Sequence, residues 1–152
     1  VSNISFVNLD NLNDTLYTVY DVEVKNAFQE VAGMKIFQMP WSDKVTSLEE
    51  VSLTDRKYPF EFWQYFSADS RSEHINLSLP EGKKFVEVPK SVKLECANAE
   101  YELTFDVKAN GKVTATRKFA RKTEIITPEQ YQDFKKFMYE VSENDNKQYA
   151  IN

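Results

Sequence analysis

The stretch that decides the fold is AEYELTFDVKANGKVTATRKF, residues 99–119. Tyr101, Leu103, Phe105 and Val107 alternate with Glu102, Thr104, Asp106 and Lys108. After Ala109-Asn110-Gly111 the alternation resumes with Val113 and Ala115. Period-two alternation on both sides of an Asn-Gly is a strong short-range hairpin signal. It predicts an antiparallel sheet with one buried face. The register follows from burial, because residues directly opposite each other share a face. A two-residue Asn-Gly loop would set Val107 against Thr114 and Phe105 against Thr116, apolar against polar each time. A turn ending in a left-handed Gly111 sets Val107 against Val113, Phe105 against Ala115 and Tyr101 against Phe119. That second register is expected, with Gly111 supplying the positive φ of a bulged loop.

On the C-terminal side, the second hairpin strand is expected to run on as far as Ile126. The period then changes. Thr127-Pro128-Glu129-Gln130 carries a helix start, with Thr at the N-cap, Pro at the first helical position and Gln closing a capping box. Tyr131, Phe134, Phe137, Met138 and Val141 recur at helical spacing, which predicts a helix near 128–142 docked by an apolar stripe. Asn144 is the expected left-handed stop, and Tyr149 and Ile151 suggest a last short strand.

On the N-terminal side, Val92, Leu94 and Cys96 form one apolar phase, Phe85 to Val88 a short strand, and Ile75, Leu77 and Leu79 another. Tyr58 to Phe66 is dense in aromatics, with Phe60 and Phe62 expected inward and Trp63 and Tyr65 outward. Pro40 to Lys57 reads as a long polar loop with one short helical turn near Ser47 to Val51, and loops of this length are often functional or mobile. Met34 to Met39 reads as a strand. Leu16, Thr18, Tyr20, Val22 and Val24 predict a strand with one wet side, after a turn at 11–14, and Ile4 and Phe6 share a face before it. Eight or nine strands and one late helix imply a mainly β fold, an antiparallel immunoglobulin-like β-sandwich with one C-terminal α-helix, in a single domain spanning 1–152.

The 152 residues include 21 aromatic ones, enough for a substantial core. No apolar run has membrane-spanning length. Val1 opens the chain without a signal peptide, which reads as a trimmed start. A net charge of −5, with acids and bases mixed, argues against nucleic acid as a partner. Arg117, Lys118, Arg121 and Lys122 form a small basic run that reads as the wet face of a strand.

Little chemistry is expected. Cys96 and His74 are the single cysteine and histidine, and their strand phases point them to opposite sides of a shared sheet, so no catalytic residue is assigned. No metal site or cofactor is expected, and Glu143 and Asp145 read as a solvated helix end. Trp41, Trp63 and Tyr65 form the one ambiguous group: core, domain seam, or a platform for a glycan or peptide.

Several features together resemble a known family: Arg56-Lys57-Tyr58-Pro59 with Phe62, the strand ending Leu79-Pro80-Glu81-Gly82, Val88-Pro89-Lys90, the 101–117 hairpin, and the Tyr131, Phe134, Phe137 helix. The family is a β-sandwich domain of unknown function found downstream of transglutaminase-like domains in Bacteroidetes multidomain proteins, and the resemblance covers roughly residues 56–141. It implies a non-catalytic accessory or interaction module of a larger protein, periplasmic or extracellular, whose partner is a neighbouring domain of the same polypeptide. It carries over no catalytic residues.

Overall fold

The 99–119 stretch forms the hairpin that its alternation predicts. In the computed structural model, which describes residues 1–21, 23, 27–62, 70–108 and 111–152, the strands are β1 Ser2–Val7, β2 Tyr17–Asp21, β3 Gln29–Val31, β4 Met34–Gln38, β5 Phe60–Glu61, β6 Ser70–Ser78, β7 Val92–Glu95, β8 Ala99–Val107, β9 Lys112–Arg121, β10 Ile125–Ile126 and β11 Gln148–Ile151. The helix α1 spans Tyr131–Asp145. In the β8–β9 pair, Val107 lies opposite Val113, Phe105 opposite Ala115 and Tyr101 opposite Phe119. Gly111 has φ +77°, and the Lys108 N–H donates to the Lys112 carbonyl at 2.8 Å. The bulged register wins because it stacks apolar pairs on one face.

These two strands sit at the centre of a four-stranded antiparallel sheet ordered β6-β9-β8-β7. Its inner face buries Tyr101, Leu103, Val113, Ala115 and Phe119. Its outer face is polar, as the pairing of Thr104 with Thr116 and of Asn76 with Thr114 requires. The layer covering the inner face is mixed: α1 together with the sheet β11-β4-β3. Phe119 meets Phe137 at 6.0 Å between ring centroids, and Phe105 meets Tyr149 at 5.5 Å. The fold is therefore mainly β and antiparallel with one C-terminal helix.

The helix shows where local signals and the outcome differ. It runs from Tyr131 rather than from Pro128. Gln130 does reach back to the Thr127 N–H at 3.1 Å, which is one half of the capping box. The other half is missing, because the helix starts later, with Gln130 rather than Thr127 at its N-cap and no side-chain cap bond there. The residues 127–130 make a tight turn instead, with the Gln130 N–H on the Thr127 carbonyl. At the far end the expected stop at Asn144 does not occur. The Asn144 amide bonds the Glu140 carbonyl at 2.8 Å inside the helix. Asn146 ends it with φ −100°, its amide capping the Ser142 carbonyl at 2.8 Å. A side-chain amide thus satisfies a terminal carbonyl where a left-handed residue was expected.

Other differences are smaller. β9 stops at Arg121, and β10 pairs with β5 instead of prolonging it. The segment near Phe85 forms a single bridge to Ile151 rather than a strand. The strand β3 was not foreseen, and it turns into β4 through Ala32 and Gly33, at φ +50° and +81°. The long 40–57 loop is strapped along the helix: the Tyr131 hydroxyl and Lys135 Nζ both donate to the Leu53 carbonyl, at 2.9 and 2.7 Å, and Glu49–Val51 makes one 3-10 turn. The largest difference is at the N-terminus. β2 was expected to bury one side, yet β1 and β2 are exposed along their whole length, and Val22 and Val24 lie outside the described residues.

Candidate functional site

The site begins with two residues that break their own patterns. On β9, Val113, Ala115 and Phe119 point inward, and Arg117 shares their phase. On α1, Tyr131, Phe134, Met138 and Val141 form the buried stripe, and Asp145 continues it one turn further. The layers bring the two together. The Arg117 guanidinium is bidentate to the Asp145 carboxylate, Nε to Oδ1 and Nη2 to Oδ2, both at 2.7 Å. Their side chains are 3% and 0% exposed. The Tyr101 hydroxyl donates to Oδ1 at 2.9 Å and the Val45 N–H to Oδ2 at 2.8 Å. Each carboxylate oxygen therefore accepts two hydrogen bonds.

The third guanidinium nitrogen, Nη1, meets Glu73 Oε2 at 3.3 Å. The register places Glu73 directly opposite Arg117 on β6. The other Glu73 oxygen accepts from the Ser42 N–H at 2.7 Å and from the Ser42 hydroxyl. Burial works against the Arg117 charge, but the Asp145 hydrogen bonds and charge, with help from Tyr101 and Glu73, outweigh it and hold the pKa above its usual value. Burial, reinforced by the Asp145 charge, pushes the Tyr101 phenol far above its ordinary range, so it stays protonated and donates. The same two causes push Tyr149 up to about 12.

A cleft of about 160 Å³ opens beside this network, lined by Asp43, Glu50, Phe62, Arg71, Arg117 and Met138 among others. It is smaller than the roughly 300–1,000 Å³ of small-molecule pockets. Both of its arginines are paired, Arg71 with Asp43 and Arg117 with Asp145, while Lys44 Nζ donates to Gln38 Oε1 at 3.2 Å. Chemically the arrangement is an internally paired ion network that ties β9, β8, β6, α1 and the loop at Ser42 and Val45 to one another.

Cys96 and His74 are not brought together. His74 lies on edge strand β6, while Cys96 follows β7 at the opposite edge, with β9 and β8 between. Three strand spacings make that roughly 14 Å in the plane of the sheet. Cys96 packs against the core, and His74 shares hydrogen bonds with Thr116 at 3.0 Å and Ser72 at 3.3 Å. Of the aromatic group, Trp41 is in the core, 5% exposed, and Trp63 and Tyr65 lie outside the described residues. The basic run does not form one face, because Arg117 points inward while Lys118 pairs with Glu102 at 3.9 Å and Lys122 with Glu95 and Glu100. Asp145 is the sharpest correction: expected at a solvated helix end, it is 1% exposed. Among the described residues no group of three or more His, Cys, Asp or Glu is placed to hold a metal ion.

A two-layer, mainly β domain built around a hairpin and a docked helix is the class that these features define. The chain belongs to the DUF3858 family, a domain of unknown function, which it matches over residues 33–151. Its fold is similar to that of part of a solved protein described as a "putative protease" from Parabacteroides distasonis, with a TM-score of 0.61 and 18% identity. The match covers 78% of this chain and 23% of that one, so the chain spans about a quarter of its length. A comparison with curated proteins finds none that matches.

Proposed function

We propose that this domain is a non-catalytic accessory module of a larger secreted or periplasmic protein, seated beside a transglutaminase-like domain and working through contacts within the same polypeptide. The observation that carries this reading is that the buried charges are spent on one another. Arg117, Asp145, Tyr101 and Glu73 bond one another, whereas a catalytic group needs a free donor or acceptor facing its substrate. The wide separation of Cys96 and His74 supports the same reading. The family match and the likeness to a quarter of a longer protein fit a component of a larger assembly. The periplasmic or extracellular address rests on the resemblance in the sequence. The glycan- or peptide-binding alternative keeps Trp63 and Tyr65 but loses the Trp41 ring to the core.

The test is turnover by the purified chain against a panel of peptide, ester, thioester and glycoside substrates. The expected result is no turnover above the blank. Turnover that Cys96→Ala or His74→Ala abolishes would overturn the proposal.

A further inference from the structure

The N-terminal hairpin leaves more apolar surface uncovered than any other element described above. In the β1–β2 pair, Ser5 lies opposite Val19, Phe6 opposite Thr18 and Val7 opposite Tyr17. One face therefore carries Ile4, Phe6 and Tyr20, and the other carries Val7, Tyr17 and Val19. All six are 42–59% exposed. A two-stranded hairpin on its own is marginal in water, and contiguous apolar patches of this kind mark interaction surfaces.

We propose that this hairpin is a docking element for an adjoining domain of the same polypeptide, whose receiving surface is apolar at its centre and basic at its rim. Two observations select that occupant. The family match begins at residue 33, so the hairpin lies outside the recurring unit, whose core is complete without it. The charge is also uneven. Residues 1–24 hold Asp10, Asp14, Asp21 and Glu23 and no Lys or Arg, which leaves 20 acids against 19 bases in the rest of the chain. Within the hairpin itself, Ser2–Asp21, three of these acids stand with no base among them. A second copy is disfavoured, because a two-fold contact between hairpins would set these carboxylates against one another. A surface with Lys or Arg around an apolar centre matches both features. The inference rests on the reading of the domain as an accessory module within a larger polypeptide.

The experiment is amide hydrogen exchange on this chain and on the complete polypeptide that carries it. Amides of Ser2–Val7 and Tyr17–Asp21 are expected to exchange at least about 100-fold more slowly in the complete polypeptide than in this chain. In the complete polypeptide, Phe6→Asp with Val19→Asp should restore fast exchange there while α1 stays protected, which controls for unfolding. Asp10→Lys with Asp14→Lys should lower the protection by about tenfold. Fast exchange in both proteins overturns the proposal. So does slow exchange in this chain at every concentration, which would mean packing on its own domain, or slowing that grows with concentration, which would mean a second copy. Unchanged protection after the charge reversal overturns the basic rim. Failure of the accessory reading would show separately, as turnover by the isolated chain.

Discussion

Asp145 sits where a carboxylate is least welcome, in the last turn of a helix whose dipole presents its negative end there. It is also buried, which for an unpaired charge is expensive. Both costs are offset by one bidentate guanidinium, one phenol and one backbone N–H. The phenols have a consequence of their own. In the unfolded chain Tyr101 and Tyr149 would lose their protons near pH 10. Folded, Tyr149 keeps its proton to about pH 12, and Tyr101 keeps its own beyond that. Above pH 10 the unfolded state therefore binds fewer protons, so stability falls as pH rises, by at most about 1.4 kcal/mol per pH unit for each phenol. Thermal unfolding followed from pH 9 to 11.5 should show this decline, and Tyr149→Phe should flatten it between pH 10 and 11.5. A parent and a variant with the same pH dependence would mean that the Tyr149 phenol titrates alike in both states.

At the scale of elements, α1 owes its order to packing. A free helix of fifteen residues is marginal in water, and Gln130 makes no side-chain cap to the first turn. Phe134 is fully buried, 4.8 Å from the Phe62 ring and 5.9 Å from Phe60 between centroids. Phe134→Ala is expected to cost about 3–5 kcal/mol, read as a lowered denaturant midpoint with unchanged slope. A midpoint equal to the parent's would mean that the stripe does not hold the helix.

The same comparison shows what sequence can carry. The β8–β9 register was legible because a one-residue slip would exchange the inner and outer faces of both strands. The helix was legible from its stripe, but its ends were not, since the Asn146 amide donates to the Val45 carbonyl and Gln130 Oε1 accepts from the Asn98 amide, groups whose positions only the tertiary fold sets. The β1–β2 hairpin was legible as strands but not as exposed, because alternation reports that a face can be buried and not what buries it. The Arg117–Asp145 pair did leave a signal. Arg117 stands in the apolar phase of β9, and Asp145 falls fourteen residues after Tyr131 on the helical stripe. Each reads alone as an ordinary surface charge; the pair becomes visible only when the two phases are set against each other.

At the scale of the whole molecule, these buried charges join the layers. Arg117 comes from the central sheet and Asp145 from the helix, while Val45 belongs to the loop that also accepts from Ser142 and Asn146 through its carbonyl. A site built for chemistry and a joint built for stability respond oppositely to substitution. Functional groups commonly hold a fold below its best stability, so replacing them leaves it unchanged or firmer. Removing one partner of a buried ion pair strands the other and destabilises by about 3–5 kcal/mol. The most direct measurement is therefore equilibrium urea unfolding of Asp145→Asn, which keeps the shape and removes the charge. The account predicts a loss of that size. A midpoint equal to or above the parent's would contradict it and mark the network as a functional site.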